Sequence, residues 1–252
     1  RLAEQASASK SEFLAHLGHE IRTPMTGLLG MTELLERTGL DSRQRNYAEA
    51  IRMSGKHMLR LVNDVLDLAR IEAGRLDLEL EAFDPAVLLR QVGAVGSALA
   101  ERKGIVCRVE ADPAVPRAVL GDLRRIRQVL LNLVNNAVKF TSSGGVMLRV
   151  STEADNIVCF EVRDSGPGIA EELRQRLFQR YEQGERGRRA GGSGLGLAIC
   201  RELTELMAGQ IDVDSVPGNG SCFRVRLPLQ PIGTDVAAGL HESSRDCDVL
   251  IV

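Results

Sequence analysis

His19 is followed directly by Glu20 and, one helical turn later, by Thr23. A solvent-facing imidazole keeps one ring nitrogen free as a nucleophile. A neighbouring carboxylate can hold the other N–H, which fixes the tautomer and raises nucleophilicity. A second set is Asn132, Asn136 and Lys139, spaced four and three residues apart and therefore on one face of a helix. An Asn oxygen can ligate Mg²⁺ between phosphates, and a Lys one turn on can neutralise phosphate charge, so this face suits a magnesium nucleotide. The third set, Asp164-Ser165-Gly166-Pro167-Gly168-Ile169, puts a carboxylate at the end of an expected strand and glycines where backbone must approach a ligand. Asp164 can accept from an adenine amino group. The fourth, Gly191-Gly192-Ser193-Gly194-Leu195-Gly196-Leu197, leads into an expected helix whose free amides and positive end suit an anion. No Gly-Lys-Ser/Thr follows, so it is neither a P-loop nor the first turn of a dinucleotide fold. Taken singly, the first three sets have a plain alternative: a solvated helix face for the first two and an ordinary sharp turn for the third.

The elements that must position these residues have two different periods. Leu14, Leu17, Ile21, Leu28, Met31 and Leu35 advance by alternating steps of three and four, with Pro24 in the missing place. This heptad seam puts His19 at an outward position. Pro24, lacking an amide hydrogen, is expected to bend the helix just after it. Tyr47, Ile51, Ser54, Met58, Leu61, Val65 and Leu68 repeat the spacing after a break at Thr38 to Ser42, where Gly39 stops one helix and Ser42 caps the next. A two-helix hairpin cannot enclose a core alone. Pairing two copies gives a four-helix bundle, so a homodimer is expected, although periodicity alone fits a purely structural coiled coil as well.

From Arg75 onward the period alternates. Strands are expected at 76–80, 105–110, 146–151, 157–163, 210–214 and 221–227, and helices at 85–102, 122–139 and 194–207. These elements predict an α+β unit, a sheet with helices on one face. The polar stretch 179–190 carries Arg180, Arg186, Arg188 and Arg189 and reads as a lid over phosphates. Residues 228–248 read as a linker feeding the apolar run Val249-Leu250-Ile251-Val252, so the chain reads as a piece of something longer.

At 252 residues the chain has room for two cores, and 44% apolar with 26% charged residues indicates a globular protein. A net charge of −2 from 32 basic and 34 acidic residues leaves no field to recruit nucleic acid or an anionic membrane. Five cysteines with no C-x-x-C pair argue against a disulfide framework or a zinc site and for a reducing compartment. No apolar run approaches the ~18–20 residues of a spanning helix, so any membrane anchor is expected outside these residues.

Phe13-Leu14-Ala15-His16-Leu17-Gly18-His19-Glu20-Ile21-Arg22-Thr23-Pro24-Met25 resembles the H box of sensor histidine kinases, with Gly18 where Ser is usual and Met25 where Leu is frequent. Ser54 to Met58, Asn63 to Asp67 and Ile71 to Gly74 resemble the family's second helix. The later sets resemble, in order, the N box (Asn132 to Lys139), G1 box (Asp164 to Gly168), F box (around Phe178 and Tyr181) and G2 box (Gly192 to Gly196) of its Bergerat-type ATP-binding domain.

The resemblance implies roles. His19 is the phosphoacceptor, Glu20 the base, and Thr23 the residue that positions water for dephosphorylating a partner. Asn136 holds Mg²⁺, Lys139 and Asn132 support the phosphates, and Asp164 reads adenine within a turn completed by Gly166, Gly168 and Ile169. Phe178 anchors the lid, and Gly192, Gly194, Leu195, Gly196 and Leu197 close over ATP. The implied architecture is an all-α hairpin forming a dimeric four-helix bundle at 1–74, an α+β sandwich of the Bergerat ATP-binding fold at 75–229, and a linker with the start of a receiver at 230–252. The implied function is ATP-dependent autophosphorylation of His19, then transfer to an Asp of a receiver domain in the same chain or of a response regulator, with room for a phosphatase activity through Thr23. Such a chain is expected to be the cytoplasmic part of a bacterial sensor anchored in the inner membrane. Two other readings stand beside it: a degenerate dimeric scaffold, and a conformational ATPase of the same nucleotide fold.

Overall fold

The computed structural model describes residues 2–153, 156–182 and 194–232, with side chains from Glu20 onward. It divides into two compact units, Arg1–Asp77 and Leu78–Val252.

The first unit is a helical hairpin of α1 (Leu2–Glu36) and α2 (Ser42–Glu72). α1 continues through Pro24. The N-cap of α2 is Asp41, one residue before the expected Ser42. Its Oδ1 accepts from Gln44 N at 2.8 Å while Gln44 Oε1 accepts from Asp41 N at 3.0 Å, a reciprocal box that satisfies two otherwise orphaned donors. The helices meet along a stripe displaced by one residue from the expected seam. Gly18, Thr32, Ala48, Gly55, Leu66 and Ala69 are buried. The glycines allow close approach, since a Cβ at Gly55 would lie 2.8 Å from Leu29 Cδ2, and one at Gly18 would lie 2.1 Å from Leu66 Cδ1. Arg22 Nη2 donates to Asn63 Oδ1 at 3.1 Å, and Arg52 pairs with Glu36 at 3.1 Å, tying the same stripe. The seam read from the sequence stays largely outside: Leu28, Leu35, Tyr47, Ile51, Met58 and Val65 are exposed, and Met31 is 75% exposed.

The second unit pairs a large sheet with three helices. β1 (Glu81–Phe83), α3 (Pro85–Glu101), β2 (Val106–Ala111), β3 (Val119–Gly121) and α4 (Leu123–Phe140) lead to β4 (Gly145–Thr152) and β5 (Ile157–Asp164). After the single turn α5 (Glu171–Arg174) come α6 (Gly196–Leu206), β6 (Gln210–Ser215), β7 (Ser221–Pro228) and β8 (Gln230–Pro231). The five-stranded sheet runs β2-β4-β5-β7-β6, parallel only between β2 and β4, and a small sheet runs β1-β3-β8. α3, α4 and α6 cover one face, where Leu148, Val150, Phe160, Val162, Val225 and Leu227 meet Leu88, Leu130, Leu133 and Leu203. Burying each such side chain is worth roughly 1.5–3 kcal/mol. The expected α+β class is the one observed.

The strand expected at 76–80 is not one. Leu76 to Leu80 alternates apolar and charged residues, but among the described residues no neighbouring strand pairs with its backbone. Glu79 N donates instead to Asp122 Oδ2 at 3.0 Å, and pairing begins at Glu81 opposite Gly121. At the other end, Gln230 and Pro231 form β8 against Leu120 and Val119. The two residues are thus laddered into this unit's small sheet, although the expected boundary at 229 assigned them to the linker. Val249 to Val252 lie outside the described residues.

Candidate active site

α4 carries the polar face Asn132, Asn136 and Lys139, and its N-terminus is fixed by a buried carboxylate. Asp122 Oδ1 accepts from Arg125 N at 2.9 Å. The apolar side of the helix, Ile126, Val129, Leu130, Leu133, Val134, Ala137 and Val138, is sunk against the sheet and α3, so the three polar residues are held outward and half-buried.

That face touches both other parts of the site. At its start, Asn132 Nδ2 donates to Cys200 Sγ of α6 at 3.1 Å, and a Cβ added at Gly196 would lie 2.7 Å from the same nitrogen. At its end, a Cβ added at Gly166 would lie 3.3 Å from Phe140 O. Lys139 Nζ lies 5.3 Å from the Phe140 ring centroid, within cation–π range. One helix therefore spans the distance between the second glycine loop and the Asp164 turn.

Asp164 ends β5, is 8% exposed, and accepts from Gly166 N through Oδ1 at 2.8 Å. Burial pushes its carboxyl above the usual carboxylate range, while hydrogen bonds from the backbone of Gly166 and Ser221 pull it back. The turn is braced on every side. Ser165 Oγ accepts from Gly145 N at 2.9 Å and donates to Ser143 O at 2.9 Å. Ile169 N donates to Ser215 Oγ at 2.9 Å. Gly168, at φ +67°, packs so close to Val216 O that a Cβ would lie 2.2 Å away, which only glycine tolerates.

α6 begins at Gly196 behind Leu195, which is buried, and no side-chain cap is seen there among the described residues, which suits the helix start to an anion. Gly194 and Leu197 flank this opening, and Tyr181 N donates to Gly194 O at 2.9 Å, joining the two ends of the intervening stretch. Phe178 stacks edge to face on Phe223 of β7, with ring centroids 6.5 Å apart. Gly192 and the arginines at 186, 188 and 189 lie outside the described residues. Arg180, one of the four arginines of the expected lid, pairs with Glu202 at 3.0 Å.

His19 lies within α1, in the other unit, and its side chain is outside the described residues. Glu20 and Thr23 are exposed on the same helix. Sequence reasoning missed Cys200, Ser165, Ser215 and Ser221. Each acts through a partner far along the chain, as Ser221 faces Asp164 only because β5 and β7 pair in that register, and no local pattern announces it.

A family model for the phospho-acceptor region of histidine kinases matches residues 9–74. Another, described as histidine kinase-, DNA gyrase B- and HSP90-like ATPase, matches residues 121–231. Hybrid signal transduction histidine kinase B of Dictyostelium discoideum is 39% identical over 234 residues, 90% of this chain and 12% of that protein. The crystal structure of full-length ShkA in complex with AMPPNP matches with TM-score 0.74 and 43% identity, covering 88% of this chain and 46% of that one. The catalytic domain of histidine kinase ThkA matches with TM-score 0.52 and 30% identity over 60% of this chain and 97% of its own. The chain spans about an eighth to a third of the length of the curated relatives it matches. With a phospho-acceptor hairpin followed by an ATPase domain of this kind, the chain belongs to the sensor histidine kinases.

Proposed function

We propose that this chain binds Mg²⁺-ATP in its second unit and transfers the γ-phosphoryl group to His19. The observation that carries the reading is the α4 face, which borders the Asp164 turn at one end and the start of α6 at the other. On this reading Asp164, with Gly166, Gly168 and Ile169 shaping its turn, accepts from the adenine amino group. Lys139 and Asn132 support the phosphates, and the amides from Gly194 to Leu197, with Gly192, hold the terminal phosphate. Phe178 ties the segment that leads to that loop down to the sheet.

The residues present fit a magnesium ion carried by the nucleotide. Asn136 is half-buried and its carboxamide has no hydrogen-bond partner among the described residues, while no acidic or histidine cluster there forms a cage of its own. Asn136 would hold the ion, which would offset phosphate charge.

His19 attacks the γ-phosphorus in line with the departing ADP oxygen, Glu20 takes the ring proton, and a phosphohistidine forms. On this reading the ATPase unit presents its bound nucleotide to His19 of α1. We further propose that the hairpin pairs with a second copy through its outward seam. The phosphoryl group then passes to a receiver Asp, in the same chain if it is a hybrid kinase as its Dictyostelium relative is named, or in a response regulator. Thr23 positions the water that dephosphorylates the partner.

The test is incubation of the chain with γ-labelled ATP and Mg²⁺, alongside His19→Gln and Asn136→Ala. Acid-labile, alkali-stable label on the wild-type protein, absent from both variants, is expected. ATP binding with no labelled protein would instead favour a scaffold or a mechanical ATPase.

A further inference from the structure

Lys103 lies one residue beyond the C-cap of α3, in a turn closed by Gly104 at φ +68° and by Ile105 N returning to Ala100 O at 3.1 Å. That turn sends its side chain to the far end of the neighbouring helix. Lys103 Nζ donates to Val138 O at 2.7 Å, to Lys139 O at 2.8 Å and to Thr141 O at 2.9 Å. An ammonium has three donors, and all three are used. The acceptors are carbonyls at the C-terminus of α4, which lack intrahelical partners and carry the negative end of the helix dipole.

One of those carbonyls belongs to Lys139 itself. The chain emerging from Thr141 runs on to Ser143 and Gly145, both bonded to Ser165 beside Asp164. We infer that Lys103 is a positioning residue for nucleotide binding, clamping the end of α4 so that Lys139 and the Asp164 turn hold one fixed spacing. The inference rests on the reading of α4 as the nucleotide helix. Lys103 itself touches no nucleotide in this arrangement; it acts through backbone.

The test is titration of the full chain with MgADP, together with autophosphorylation at saturating ATP and thermal melting without nucleotide. Lys103→Met keeps the aliphatic stem and removes every donor. It is expected to weaken MgADP binding about tenfold while the rate at saturating ATP falls less than about threefold. Lys103→Arg keeps the charge in a planar fork that cannot converge on three carbonyls, and is expected to fall between the two. Arg224→Met removes the ion pairs to Glu161 and Asp212 on the opposite face of the sheet, and is expected to lower the melting temperature with MgADP affinity within about twofold of wild type. MgADP binding by Lys103→Met within twofold of wild type would overturn the inference, as would unaltered binding by Lys103→Arg if the Met variant does not fold. Wild-type protein that fails to bind MgADP would remove the nucleotide reading first and this inference with it.

Discussion

Asn132 of α4 donates through Nδ2 to the thiol of Cys200 on α6 at 3.1 Å, so two helices of the candidate site are tied by a side-chain pair separated by 68 residues. The bond fixes the carboxamide with its nitrogen toward the sulfur. Cys200→Ala leaves that N–H without this acceptor and opens a small cavity. A loss of about 1–2 kcal/mol in stability is expected. Melting with and without MgADP checks it, and the nucleotide-induced rise should shrink, whereas Cys200→Ser, which retains an acceptor, should keep more of it.

Gly220 sits at φ +88° with the position of a Cβ only 1.9 Å from Asp164 O, a backbone atom that cannot swing aside. Gly220→Ala therefore combines positive-φ strain with a clash at the backbone of Asp164, the residue read as the adenine contact. We expect the ATPase unit to lose more than about 2 kcal/mol in urea unfolding and its MgADP affinity to drop. A variant as stable as wild type would contradict the geometry.

Asp64 on α2 is pushed up from 3.8 to about 6 by burial, with Asp67 adding to the rise and Arg60 opposing it. A folded-state value above the unfolded one means that the native hairpin binds the proton more tightly. The stabilisation is fully present below pH 3.8 and is lost as pH rises through about 6. The hairpin should accordingly melt higher at pH 5 than at pH 7.5, and Asp64→Asn should flatten that difference. A pH dependence unchanged in the variant would assign it to another group.

The outward seam also gives a direct expectation. Ile51 is 45% exposed in the single chain although its sequence position is apolar by pattern. If a second copy covers it, Ile51→Glu places a charge in a desolvated interface and should convert a dimer to a monomer in sedimentation velocity, leaving hairpin helicity intact. Dimers that persist in this variant would exclude this stripe as the interface.

The residues themselves determined a good deal. Helical heptads, a β-rich second half and four chemically equipped sets were legible because each depends on local spacing: steps of three and four, a carboxylate before a turn, glycines before a helix. Tertiary structure decided the rest. The hairpin's internal contact uses Gly18, Gly55 and Leu66, each one residue beyond the seam at Leu17, Ser54 and Val65, because small residues let the two helix backbones approach closest there, a preference that apolar periodicity does not record. The alternation at Leu76 to Leu80 has the period of a strand but no partner to complete the ladder, so it stays outside the sheet. Asp164, legible as a site residue, owes its raised carboxyl to burial and its bracing to Ser221, and both arise only when β5 and β7 pair. Lys103 carries no motif at all; its three acceptors on α4 exist as a cluster only after α3 and α4 pack side by side.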